Sequence, residues 1–308
     1  FKPSIMKLRV TIDIFSGRPN PVIEIEDAAA TKIMDQLSNA SRMKKITNKT
    51  AQAPGNLGYR GLIIEQIGRA SGGLPSVMQV SHQHLFTNDS YTELPGEAVE
   101  ELVLGKLGRF TGTGDKAEFK AFLEKEMKRF RNKYEDLVRI PDIIWPPLIG
   151  KACFCSPDPD LTWWNDGGTI QGGNNCYNYA SNYRSDTFAQ PGKAAGQQYT
   201  SLSGCSVAAG SRSAKDGAIA DQLIDLPAAD NKCPRKGHLV ALVIAPGFDF
   251  HWFRKGPNGR WSHKPGSTAA RITDNSNNLI TDPRTADRGP YTQFCTFMQV
   301  IHGHIKIA

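Results

Sequence analysis

No glutamate follows residue 150, and no cysteine precedes it. These two absences divide the 308-residue chain near its middle. All 12 acidic residues of the second half are Asp, and Gly and Asn rise with them in runs such as Gly172-Gly173-Asn174-Asn175 and Asn275-Ser276-Asn277-Asn278. Glu favours helix, whereas Asp, Asn and Gly favour caps and turns. The first half is therefore expected to be a small α+β domain (1–145), and the second (146–308) to be dominated by strands and long loops. Pro141, Trp145 and Pro146-Pro147 mark the junction, and the length suits about two domains at roughly 100–200 residues each.

Other absences narrow the function. No run approaches the about 18 apolar residues of a membrane span; the longest, Leu239 to Ala245, is strand-sized. No signal peptide is visible at Phe1, although a removed one leaves no trace. Met6-Lys7-Leu8 reads as a possible natural start, which would make residues 1–5 an appended remnant. The net charge of +7 is spread over both halves, 21 basic against 18 acidic and then 16 against 12. No basic run is interleaved with aromatics, which argues against nucleic acid and for an ordinary solvated surface. The glycine runs lack the Lys-Ser/Thr of a phosphate loop, so no nucleotide or other cofactor is expected. There is no internal repeat, and hydrophobic and charged contents of 39% and 22% are those of a globular chain.

Periodicity supplies the elements. Residues 9–15 and 22–25 alternate as strands around the loop Ser16-Gly17-Arg18-Pro19-Asn20-Pro21. Residues 28–37 read as a helix, and 61–65 and 77–86 as strands. From 115 to 137, Phe119, Leu123, Met127, Phe130, Tyr134 and Leu137 form one apolar stripe of a helix. Residues 175–183 read as a helix capped by Asn174 or Asn175. Strands are expected at 238–245, 249–255, 260–264 and 294–307. His82/His84 and His302/His304 alternate as His-x-His pairs without a third metal ligand nearby, and the first pair reads as partly buried packing.

The six cysteines (153, 155, 176, 205, 233 and 295) permit three bridges, or at most two if one is a nucleophile. A zinc site from Cys153, Cys155, Cys233 and His238 lacks the usual spacing. Cys176 differs in its setting: at the first turn of a helix, backbone N–H groups and the macrodipole stabilise a thiolate. Downstream, Pro257-Asn258-Gly259 suits a type I turn closing a three-residue hairpin loop. An odd loop length puts His251 and His263 on one face of the ribbon, so one imidazole can act as base toward a thiol while the other orients it. Asp274 or Asn275 is an alternative third group.

On these residues the chain resembles the NlpC/P60 family of papain-fold cysteine hydrolases. The motifs are Trp163-Trp164-Asn165-Asp166-Gly167-Gly168, Asn175-Cys176-Tyr177, Gly237-His238-Leu239-Val240-Ala241, and the His251/His263 hairpin, all within about residues 160–270. The resemblance implies a papain-like second domain, an antiparallel sheet with a nucleophile helix. Cys176 would be nucleophile, His251 base and His263 orienter. Trp164 stands where the family usually has an oxyanion-stabilising Tyr, and Gln171 offers an alternative donor. Asn175 replaces the usual Asp, and the 184–234 loop is long. The expected activity is cleavage of an amide bond in a peptide or peptidoglycan stem peptide through an acyl-enzyme, without metal. The alternatives are a glutamine deamidase or transamidase of toxin-effector type, and a non-catalytic binding or adhesion protein whose papain-like half is inactive. A secreted or exported location is favoured.

Overall fold

The computed structural model describes residues 6–40, 42–46, 53–68, 73–87, 89–95, 98–138 and 153–308. The proline-rich junction and residues 1–5 lie outside them. The chain forms two compact units: Phe1–Ile14, Asn20–Gly55 and Tyr59–Asp142, and then Phe15–Pro19, Asn56–Gly58 and Ile143–Ala308. Two short pieces that the sequence boundaries give to the first domain thus belong to the second.

In chain order the first unit holds β1 (Lys7–Asp13), β2 (Val22–Glu26), α1 (Asp27–Ser38), β3 (Lys44–Lys45), β4 (Gly61–Ile67), β5 (Val77–Ser81), β6 (His84–Phe86), β7 (Ser90–Glu93), α2 (Ala98–Leu104), α3 (Lys116–Asn132) and α4 (Tyr134–Val138). Its strands make one sheet, β2-β1-β4-β5-β6-β7-β3, antiparallel throughout. Asp115 caps α3 by accepting the N–H groups of Ala117 and Glu118, and the stripe Phe119, Leu123, Met127 and Phe130 is buried as its spacing requires. The expected single helix breaks at Lys133 and resumes at Tyr134. The expected strand 77–86 is likewise two strands. His82 and Gln83 both take positive φ, 43° and 61°, and turn the chain back on itself as a two-residue hairpin. His82 therefore sits in a turn instead of alternating with His84. His84 Nδ1 meets the His82 carbonyl (2.8 Å) and the Tyr134 hydroxyl (3.0 Å), a packing role.

The second unit holds α5 (Leu161–Trp164), α6 (Thr169–Gly173), α7 (Cys176–Ser181), α8 (Ala214–Ala220), β8 (Ile224–Asp225), β9 (His238–Ala245), β10 (Asp249–Lys255), β11 (Trp261–His263) and β12 (Gln293–Val300). The antiparallel sheet runs β11-β10-β9-β12-β8. All eight residues of β9 are buried because both faces are covered. Val240, Leu242 and Ile244 join Phe250, Trp252, Met298 and residues of α7 and α8 on one face. Leu239, Ala241, Val243 and Ala245 join Phe253, Trp261, Tyr291 and Phe297 on the other. The tail ends as strand at Val300, and residues 302–304 form a turn, so His302 and His304 do not share a strand face. The α+β class holds for both units.

Bridges join Cys153 to Cys233 and Cys205 to Cys295, leaving Cys155 exposed and Cys176 buried as thiols. Two bridges form, not three, and Cys153 and Cys233 cannot serve the zinc set. Bridges of this kind belong to oxidising compartments. No helix among the described residues is long and apolar enough to cross a membrane.

The Cys205–Cys295 bridge closes a 90-residue separation, so its removal should cost about 2–5 kcal/mol. A Cys205→Ala/Cys295→Ala double variant should show this as a lower urea midpoint, with a slope no smaller than wild type because the unbridged unfolded chain exposes more surface; an unmoved midpoint would contradict it.

Candidate functional site

The hairpin arithmetic holds. Gly256 N donates to the Arg260 carbonyl, Gly259 N donates to Gly256, and Gly259 takes φ 78°, closing a three-residue loop over 257–259. Phe253 faces His263 across the ribbon. His251 lies two residues earlier on the same face, and its Nε2 is 2.9 Å from His263 Nδ1.

The Cys176 side of the expected triad differs. Asn175 caps α7 in a capping box with Asn178, so Cys176 is the first helical residue, as expected. Yet α7 packs on the Phe250 and Trp252 face of β10, in one cluster with Leu242 and Ile244. Successive side chains of a strand point to opposite faces. His251 accordingly projects to the other face, against Phe253, His263 and Tyr291. Cys176 Sγ instead approaches the Phe250 carbonyl at 3.9 Å. Burial first, and the Asp249 charge second, push its thiol well above the ordinary range. That is the reverse of the activated thiolate expected at a helix start.

Both ring nitrogens of His251 are engaged. Nδ1 lies 2.9 Å from Ser16 Oγ, which lies 2.7 Å from the Tyr291 hydroxyl, itself 2.5 Å from Asp249 Oδ2. His263 Nε2 lies 2.9 Å from the Thr273 carbonyl. A carbonyl only accepts, so His263 Nε2 carries the proton and its Nδ1 accepts from His251. The remaining chain, His251–Ser16–Tyr291–Asp249, has two consistent arrangements of one proton. Either Asp249 is protonated and each hydroxyl donates toward His251, or His251 is a cation and each donates toward Asp249. The backbone N–H groups of Ser16, Gly17 and Arg18 all point at the Asp249 carboxylate, at 2.6–3.2 Å. Burial raises its pKa, and those donors with Tyr291 lower it. Gly17 is required here, since a Cβ would stand 2.5 Å from the Phe250 ring and carbonyl. Its own carbonyl accepts from Asn175 Nδ2 and Gln190 Nε2.

The other expected groups are spent elsewhere. Asp274 accepts the N–H groups of Ser276, Asn278 and Asp287, while the Asn275 amide pairs with the backbone of Leu57. Neither meets His263. Trp164 is fully buried against Tyr179 and Ala270, in a cluster separate from Cys176, and its indole N–H has no hydrogen-bond partner among the described residues. Gln171 contributes its carbonyl to Lys264 Nζ at 2.5 Å. His238 donates to the Ala180 carbonyl, and burial lowers its pKa to about 3. No group of three His, Cys, Asp or Glu able to hold a metal occurs among the described residues.

Ser16, Asp249 and Tyr291 were not foreseen. Asp249, two residues before His251, carried a weak signal. Ser16 and Tyr291 carried none, because they lie 235 and 40 residues from His251 in the chain.

No family model matches the chain, and no solved structure does. Insoluble matrix shell protein 1 of Ruditapes philippinarum is 47% identical to it over 131 residues, which are 42% of this chain and 82% of that protein. The chain belongs to the family of that shell protein. The match leaves more than half of the present chain unaligned, and the papain-like assignment gains no solved relative from it.

Burial lowers the His263 pKa from the ordinary 6.5 to about 3. The unfolded chain therefore takes up this proton below about pH 6.5 while the folded chain refuses it. Stability from the group is complete above that pH and falls by about 1.4 kcal/mol per unit toward pH 3. The stability gap between wild type and His263→Gln should narrow at that rate on acidification from pH 7; a pH-independent gap would contradict it.

Proposed function

We propose that the chain is a non-catalytic binding component of an extracellular insoluble matrix. The observation that carries this reading is the 47% identity to a shell-matrix protein over most of that protein's length. The site geometry supports it. The nucleophile candidate is a core thiol, and the histidine pair belongs to a hydrogen-bond network that runs from Asp249 through Tyr291 and Ser16 to the Thr273 carbonyl. Two disulfides suit an oxidising, extracellular setting.

One observation favours the second reading, an amide-cleaving cysteine hydrolase acting on peptides, stem peptides or glutamine side chains: the direct His251–His263 bond. That reading needs Cys176 to leave its core and reach the opposite face of β10. A general base must come within hydrogen-bond reach of the proton it takes.

Thiol alkylation of the native chain separates the two. Cys155 should label readily and Cys176 only on unfolding, with His251→Ala leaving the Cys155 rate unchanged. Faster labelling at Cys176, slowed by His251→Ala, would replace the matrix reading with the hydrolase. In parallel, chain incubated with insoluble shell-matrix powder should pellet with it, and Cys176→Ala equally well. A chain left in the supernatant would overturn the matrix reading.

A further inference from the structure

Three of the six cysteines converge on two neighbouring segments. Cys153 and Cys233 are bridged, and Cys155, one residue removed from Cys153, keeps a free and exposed thiol. Its Sγ lies 4.0 Å from the carbonyl of Arg235, two residues past Cys233. The two residues of the bridge are not equally exposed. Cys153 is 3% exposed. Cys233 is half-buried and lines an open, mainly apolar cleft of about 380 Å³ with Leu226, Pro227, Ala229, Lys232 and Pro234. Beside Cys155, Phe154 is 78% exposed, the most exposed large hydrophobic side chain of the described residues.

An exposed thiol, a bridge with one half-buried residue at the edge of a cleft, and an apolar side chain placed next to the thiol are the parts needed for disulfide exchange between copies. Resting on the matrix reading, we propose that the chain links covalently to further copies of itself by thiol–disulfide exchange, Cys155 of one copy attacking Cys233 of the next. The Cys155 thiolate forms a bond to Cys233 Sγ, the Cys153–Cys233 bond breaks, and Cys153 leaves as thiolate and takes a proton. One disulfide and one thiol are consumed and one of each is formed, so no external oxidant is needed. Phe154 of the incoming copy occupies the cleft beside Cys233, removing its ring from water as the sulfurs meet. The attacking copy keeps its own bridge for a third copy. Donor and acceptor are different patches, so the contact is heterologous and extends into chains. Such growth would turn a folded unit into linear covalent polymers that only reductant takes apart.

The test incubates the full chain, with both bridges formed, at high concentration without oxygen, using a mixture of heavy-isotope and ordinary chains. Non-reducing gels should show a ladder that collapses on adding reductant. Peptide mapping should find Cys155 joined to Cys233 across isotopically different chains. The thiol count should stay at the two per chain present at the start. Cys155→Ser should lower the multimer yield at least about ten-fold, and Phe154→Ser should slow the ladder with the thiol intact. A ladder that persists in Cys155→Ser overturns the proposal. So does a Cys155–Cys233 link confined to single chains, or a falling thiol count with Cys155 joined to Cys155. Pelleting of Cys155→Ser with matrix powder reports on the matrix reading separately. Retention without a ladder in the wild type removes the linkage alone.

Discussion

The two-residue pleat of β10 decides which groups can meet in the second unit. Phe250, Trp252 and Arg254 face α7, while Asp249, His251 and Phe253 face the other way. The backbone of one strand thus lies between a cysteine and a histidine that are both fully buried and close in the fold. No rotamer change moves a strand side chain through its own sheet; only a register shift by one residue would, and that would exchange the two buried faces of β10, putting Asp249 and His251 into the apolar cluster with α7. A thiol on one face and an imidazole on the other is therefore a packing outcome with deep support.

Buried ionisable side chains at the strands organise the long coil segments that the sequence leaves without periodicity. Asp249 gathers the backbone N–H groups of residues 16–18. Arg254 donates to the carbonyls of Asp158, Pro159 and Tyr179 and lies over the Tyr179 ring. Lys264 donates to the carbonyls of Gln171, Asn174 and Gly266. Arg254 and Lys264 are cations and Asp249 a carboxyl taken out of water, a costly step that hydrogen-bond partners offset, although Arg254 Nε has none among the described residues. The partners are backbone groups of loops, which would otherwise be buried without hydrogen bonds. Side chain and coil thus supply one another's partners.

Where the physics is local, the sequence was legible. The Phe119–Phe130 stripe, the Asn175 cap and the 257–259 loop each rest on residues within a turn or two of one another, and each forms as their chemistry requires. The hairpin even joined His251 to His263. Errors arose where one local choice broke a pattern. Two positive φ angles at His82 and Gln83 turn an alternating run into a hairpin, and Lys133 interrupts a continuous stripe. Neither break carries a glycine or proline to announce it.

By itself the sequence determined that a thiol starts a helix, that two histidines share a ribbon face and that the acidic residues change kind at the midpoint. These depend on near neighbours. Only the tertiary structure decided that α7 lies on the face of β10 away from those histidines, that Ser16 completes the hydrogen-bond chain at His251, and that Cys155 stays free beside a closed bridge. Such facts depend on which face of a sheet is covered by which helix, and on contacts spanning up to 235 residues. Hydrophobic burial selects among them without regard to chain distance, so no window along the sequence records the choice.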